Sequence, residues 1–299
     1  MDPATATFQQ HRPRLFGLAY RMLGTPADAE DVLHDAWLRW HQQDADDLDD
    51  AEAWLVTVTT RLALDRLRRA RTERQHYTGP WLPEPLVEDM DLPEAELERA
   101  ESLGLSFLAL LERLSPEERA AFLLNQVFDY SHAETAAMLQ ITEDACRQRV
   151  HRARQRLREG RPRFKHAPDV QRHLLEKFRD ALESASVEAL QALFAADAVH
   201  LADGGGKASA TLRPLHGGER IVRLYAIIAR RYRSLAIVHR LQWLNGEPAL
   251  LTWVDGRLVT VAWIETDGER IAGIHSLRNP EKLARLEAVT NPAGGASLS

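Results

Sequence analysis

Apolar residues recur at helical spacing from the first residues of the chain onward. Leu15, Leu18, Ala19 and Met22 mark one helix within residues 8–40, and Val32, Ala36 and Trp40 mark a second, with a break near Gly24 to Pro26. Residues 51–70 keep the period, and Trp54, Val58, Leu62 and Leu67 stand where a helix can place them on one side. Further on, the start signals are explicit. Ser115-Pro116-Glu117-Glu118 reads as a capping box with proline at the first helical position, and Ser131-His132-Ala133-Glu134 as a second box opening a short helix through Leu139. Thr142 is placed to cap the next helix, with Ile141 set to pack toward Cys146. In that helix Cys146, Val150, Ala153 and Leu157 follow the inward spacing, which leaves Arg147, Gln148, His151, Arg152 and Arg154 outward. Two helices joined by a turn of about three residues predict a helix-turn-helix.

Beyond Pro168 the pattern changes. Helical periods cover Val170–Leu182, Val187–Phe194 and Gly218–Arg231, and then three turn signals follow in order: Asn245-Gly246, Asp255-Gly256 and Asp267-Gly268. Each lies between apolar or β-branched runs, as type I′ hairpins require, so a four-stranded antiparallel meander is expected over roughly 235–277. With Val254 across from Arg257, Trp253 shares a face with Leu251, Leu258 and Thr260, and Trp263 falls on the opposite face. One tryptophan is then expected on the concave side of the sheet and the other outside. Residues 291–299 read as a frayed tail. The fold class is multidomain: two all-α modules, then an α+β domain with an antiparallel sheet.

Between the helical modules, "YTGPWLPEPLVEDM" (Tyr77 to Met90) places Pro80, Pro83 and Pro85 around Trp81, Leu82 and Leu86. Proline removes backbone donors and pushes the preceding residue to extended conformations, so this stretch is a linker by backbone chemistry. Its apolar side chains are each worth about 1.5–3 kcal/mol of burial, so something should cover them. A tryptophan packed on a neighbouring helix and a docking motif for another domain or partner are both compatible with the residues.

Composition and charge narrow the function. The 299 residues, 44% hydrophobic and 27% charged, allow two or three domains, and no apolar run approaches a membrane span. The N-terminus lacks a secretory h-region, and with a single cysteine, Cys146, a cytoplasmic protein without disulfides, multi-cysteine metal sites or cofactors is expected. The net charge of −6 is grouped. Asp28 to Glu52 carries ten acids against one arginine, and Arg61 to Arg74 six arginines against two acids. Glu84 to Glu101 carries eight acids against one arginine, and Arg147 to Lys165 nine basic residues against Glu159. A basic face on the second helix of a helix-turn-helix points to the DNA major groove.

The order "DAEDVLHDAWLRW", "EAWLVTVTTRLALDRLRRAR", "LSPEERAAFLL" and "DYSHAETAAMLQITEDACRQRVHRARQRLR" resembles bacterial sigma factors of the extracytoplasmic-function type. The remainder resembles the SigJ-type subgroup with a C-terminal SnoaL-like domain. Three more places carry that likeness: "WLPEP" (Trp81, Leu82, Pro83, Glu84, Pro85), "DGGGK" (Asp203, Gly204, Gly205, Gly206, Lys207) and "NPEKL", which starts at Asn279 and Pro280. In "NPEKL" Glu281 stands where the subgroup more often has Asp. The resemblance implies a region-two domain at 1–76, a Pro-rich acidic linker at 77–101, a region-four helix-turn-helix domain at 102–163 and a SnoaL-like regulatory cone at 168–290. It implies that Asp28, Glu30, Asp31 and Asp35 meet the basic clamp helices of the polymerase β′ subunit, with the β flap as a further contact. It implies that Trp54, Arg61, Arg68 and Arg69 open the promoter's minus-ten element. Arg147, Gln148, His151, Arg152 and Arg154 would serve the minus-thirty-five element. The loop at residues 41–52 would lie where a flipped base is held. Trp81 would anchor the linker on the C-terminal domain near Asp203–Lys207, so that this domain tunes activity from within the chain.

Rival functions remain at this point. SnoaL-like folds also occur as enzymes, which would use Asp203, His200, His239 or His275 and a small-molecule ligand in the C-terminal cavity, but no motif pairs these residues and no enzyme is expected. "DGGGK" lacks the spacing of a phosphate loop and reads as a tight glycine turn. A ligand-sensing repressor acting through the helix-turn-helix alone leaves the acidic surface at Asp28–Asp35 without a role.

Overall fold

The computed structural model describes residues 3–43, 50–86, 104–160, 168–232 and 234–290. The described residues divide into two compact units: those within 1–75 and 107–161 form the first, and those within 76–90, 103–106 and 162–299 the second. The loop at 44–49, most of the acidic linker and the tail at 291–299 lie outside the described residues.

The first unit opens with α1 (Pro3–Leu23), α2 (Pro26–His41) and α3 (Ala51–Arg74). Gly24, at φ 77°, ends α1, and Pro26 opens α2 behind Thr25, whose hydroxyl accepts from the Asp28 N–H. The inward residues expected in α1 and α2 are all buried, and the Trp40 indole donates to the Ala4 carbonyl at 2.8 Å. In α3 the buried face differs from the expected one. It is formed by Leu55, Val56, Thr59, Thr60, Ala63, Leu64, Leu67 and Ala70, while Trp54, Val58 and Leu62 are half-buried. The helix is covered on more than one side, by α1 and α2 and by later helices, so a single apolar stripe does not describe it.

The chain continues through α4 (Leu105–Leu111), whose Leu105 and Ser106 fall in the second unit and the rest in the first, and then, in the first unit, α5 (Pro116–Gln126), α6 (His132–Leu139) and α7 (Glu143–Gly160). Both expected capping boxes form at Ser115 and Ser131. Gln140 takes a left-handed φ of 54° and stops α6, and the Ala145 N–H reaches the Thr142 hydroxyl at 3.2 Å. Cys146, Val150, Ala153 and Leu157 are buried, and Ile141 packs on a small core of Ala121, Ala136, Cys146 and Val150.

The second unit contains α8 (Pro168–Glu183), α9 (Val187–Leu193), β1 (Phe194–Asp203), β2 (Leu215–His216), α10 (Gly218–Arg231), β3 (Ile237–Leu244), β4 (Glu247–Val254), β5 (Arg257–Thr266), β6 (Ile271–Leu277) and α11 (Pro280–Thr290). The strands lie in the order β2-β1-β6-β5-β4-β3. The meander β3 to β6 is antiparallel throughout, but β1 runs parallel to β6, so the sheet is mixed rather than antiparallel. The sequence "FAADAVHLAD" hides β1, because its alanines favour a helix locally and a buried strand shows no clean alternation.

Two of the three hairpins are the expected two-residue turns, with positive φ at Asn245, Gly246, Asp255 and Gly256. The third is a four-residue loop, in which the Asp267 carboxylate accepts the N–H groups of Glu269 and Arg270. The tryptophan assignment is also corrected. Val254 pairs with Arg257 as expected, but the register shifts between Trp253 and Thr252, so that Thr252 pairs with Thr260 and Leu251 with Val261. The extra residue on β5 is Val259, and it returns Trp263 to the face of Trp253 and removes Thr260 from it. The other face, with Leu250, Ile264 and Ile274, packs on Leu174 and Phe178 of α8 and on Ile221 and Tyr225 of α10.

Candidate functional site

The described linker residues are fastened to the second unit by a buried ion pair. Asp203, the last residue of β1, is fully buried, and its Oδ2 accepts from the Lys282 ammonium at 2.8 Å and from the Leu82 N–H at 2.9 Å. Its Oδ1 accepts from the Tyr77 hydroxyl at 2.5 Å. Lys282 also donates to the Leu82 carbonyl at 2.6 Å, and its ammonium lies 3.9 Å from the centre of the Trp81 ring. Lysine and aspartate thus hold both backbone groups of Leu82, with an aromatic face closing over the cation. Burial, with the neighbouring Asp203 carboxylate, pushes the Tyr77 phenol above its usual range.

The three quoted motifs meet here. Asn279 donates to the Tyr77 hydroxyl at 2.9 Å and accepts from the Glu281 N–H, opening α11 with Pro280 as its first residue. Gly205 and Gly206 are left-handed, and a Cβ on Gly205 would stand 2.4 Å from the Asn279 amide nitrogen and 2.9 Å from the Tyr77 hydroxyl. Only glycine meets both demands. The Lys207 N–H closes a turn on the Gly204 carbonyl, and the Lys207 side chain pairs with Glu281. "DGGGK" is therefore a turn against which the linker lies.

Trp81 lies over Lys282, the partner of Asp203, as expected of its place, but it is not fully buried. It is half-buried, as is Glu84, whereas Leu82, Pro83, Pro85 and Leu86 are buried. Lys282, Tyr77 and Asn245, whose Oδ1 accepts from the Leu86 N–H at 2.7 Å, were missed as site residues. Lys282 carried a signal, because it stands beside Leu283 on the inward side of an amphipathic helix, where a charge needs a partner. The residues offered for catalysis are not brought together: His200 meets Ser276, His239 meets Thr252, His275 meets Glu265 and Asp203 meets Lys282. Among the described residues no cluster is placed to hold a metal, and no helix is long and apolar enough to cross a membrane.

In the first unit the acids of α2 divide into two pairs. Asp28 is bound to Arg66 at 2.6 Å and Glu30 to Arg12 at 2.6 Å, while Asp31 and Asp35 are exposed, with exposed Leu38 one turn on. On α3, the Arg61 guanidinium donates to the Met138 carbonyl at 2.9 Å and Arg68 to Glu117 at 2.9 Å. Arg71 donates to the Leu114 carbonyl and Arg74 to Glu112. Arg69 is exposed and reaches back to the Asp65 carbonyl, and Trp54 stacks obliquely on Trp40. Of the α3 residues expected to meet DNA, Arg61 and Arg68 are thus engaged with α6 and α5, whereas Arg69 is exposed and Trp54 meets Trp40 of α2. On α7, Arg147, Gln148, His151 and Arg152 line one shallow depression, all exposed. Arg147 leans on Glu143 and Asp144, Arg152 faces Glu118 and Arg154 holds Gln126.

Comparison with known proteins gives a consistent result. Residues 7–73 match the family model of Sigma-70 region 2, and residues 104–157 that of Sigma-70, region 4. The chain is similar to the ECF RNA polymerase sigma factor SigJ of Mycobacterium tuberculosis (strain ATCC 25618 / H37Rv), at 34% identity over 92% of this chain and 91% of that one. It is also similar to the probable ECF RNA polymerase sigma factor SigI of the same strain, at 30% identity over 96% and 97% of the two chains. Among solved structures it resembles the crystal structure of the Mycobacterium tuberculosis extracytoplasmic function sigma factor SigJ, with a TM-score of 0.74 and 31% identity over 94% of this chain and 98% of that one.

Proposed function

Because the chain belongs to the extracytoplasmic-function sigma factors, we propose that it binds core RNA polymerase, directs it to specific promoters to initiate transcription, and is restrained from within by its SnoaL-like domain. The observation that carries the restraint is the buried Asp203–Lys282 pair closed on the backbone of Leu82. A charge pair taken out of water is tolerated only when its remaining bonds are satisfied, and here the linker satisfies them. Docking of the linker and burial of the pair are therefore one event.

Polymerase binding falls to Asp31 and Asp35, with Leu38 beside them, against the basic β′ clamp. Asp28 and Glu30 hold the domain together through Arg66 and Arg12. Promoter reading falls to α7 at the minus-thirty-five element and to α3 at the minus-ten element. In the closed chain Arg61 and Arg68 are occupied by Met138 and Glu117. Elements whose names place them some 25 base pairs apart lie roughly 85 Å apart on duplex DNA, so α3 and α6 must separate before both are read. Co-purification with core polymerase tests the reading. The full chain is retained at moderate salt and Asp31→Arg with Asp35→Arg is not; a wild-type chain that fails to bind core overturns it.

A further inference from the structure

We infer that the Asn245-Gly246-Glu247 turn between β3 and β4 is a two-armed latch on the chain joining the two sigma modules, and that its Glu247–Ser106 arm is the one that opens. This rests on the sigma-factor reading above and goes beyond the Trp81-to-Asp203 clasp. Asn245 accepts from the Leu86 N–H at 2.7 Å. Two residues later, the Glu247 carboxylate accepts from both the N–H and the hydroxyl of Ser106, at 3.1 and 3.0 Å. Both Leu86 and Ser106 belong to the second unit, as the turn does.

The local sequence is fitted to this purpose. Asn245 takes the left-handed conformation that starts the turn, with φ 54°. Gly104 leaves room for the carboxylate, since a Cβ there would stand 2.0 Å from Glu247 Oε1. Ser106, near the start of α4, presents an unpaired helix N–H that needs an acceptor. Nineteen residues separate Leu86 from Ser106, enough to reach about 65 Å when extended, yet one turn holds both within roughly 20 Å of each other. A chain held at both ends cannot give the modules promoter spacing, so one arm must release. The Leu86 arm continues into buried Leu82, Pro83 and Pro85 and the Asp203 clasp, whereas the Ser106 arm hangs on one carboxylate.

Equilibrium binding of the full chain to core polymerase tests this. Glu247→Ala and Gly104→Ala, which remove or displace the same carboxylate, each tighten core binding about tenfold, and the double variant no further. Glu269→Ala, which removes a like charge at the exposed β5–β6 loop, changes it less than twofold. Hydrogen exchange in the free chain provides the check on folding: in both single variants the Ser106 amide exchanges at least tenfold faster and the Leu82 amide is unchanged. Unchanged or weaker core binding by Glu247→Ala and Gly104→Ala, with the Leu82 amide still protected, overturns the latch, as does an equal gain in Glu269→Ala. If the Leu82 amide loses protection in either, Ser106→Ala, which removes one donor, decides: tighter binding supports the latch and unchanged binding overturns it. Wild-type chain that does not bind core overturns the sigma-factor reading instead.

Discussion

Lys282 shows how a single residue can link the linker to the C-terminal domain. Replacing it with Met leaves Asp203 buried and without its cation, at a cost of about 3–5 kcal/mol, whereas Asp203→Asn with Lys282→Met removes both charges and restores much of the loss. The Leu82 amide reports this by hydrogen exchange, rising at least a hundredfold in Lys282→Met and much less in the double variant. His200 gives a second test. Burial pushes its imidazole down to about 4, with His275 and Arg278 adding repulsion. A base whose pKa falls on folding is held neutral while the unfolded chain takes up the proton first. Its contribution is therefore complete above about 6.5 and lost as the pH falls toward 4, on the order of 3 kcal/mol in all. Exchange of β1 and β6 amides should accelerate over that window in wild type and less in His200→Asn; equal acceleration contradicts the assignment.

Elements with local signals were legible in the sequence, and those decided by distant partners were not. Capping boxes at Ser115 and Ser131 and the inward stripe of Cys146, Val150, Ala153 and Leu157 are short-range patterns, and all three are found as expected. β1 owes its conformation to β6, which lies seventy residues on, and Trp263 owes its face to one extra residue, Val259. Neither leaves a periodic mark. The clasp was half legible: Asp203 and the glycines stand in a motif, but Tyr77 acts through a single hydroxyl that no pattern announces. At this scale α7 carries a prediction. Arg147→Ala or Gln148→Ala should cost roughly 1–3 kcal/mol in discrimination between cognate and altered minus-thirty-five elements, measured by competition binding with polymerase holoenzyme. Equal weakening on every sequence would make them phosphate contacts.

For the whole molecule, one charge block among the described residues, the arginines of α3, finds partners within the chain. Arg61, Arg68, Arg71 and Arg74 of α3 are matched by acceptors from the region-four module, Met138, Glu117, Leu114 and Glu112, so on the proposed reading part of the minus-ten surface is occupied until the modules separate. On the proposed reading, restraint and activity are two arrangements of one chain, with the linker seated on Asp203 and Lys282 and the Glu247–Ser106 arm as the part that opens. The central claim is that core polymerase converts the closed arrangement into an open one against the clasp. The distance between spin labels at exposed Gln10 and Gln155, in the full chain with Cys146 replaced by Ala, measures this most directly. It should be short and narrowly distributed in the free chain, lengthen by tens of Å on core binding, and broaden in free Lys282→Met. One unchanged distance in all three states would contradict the account.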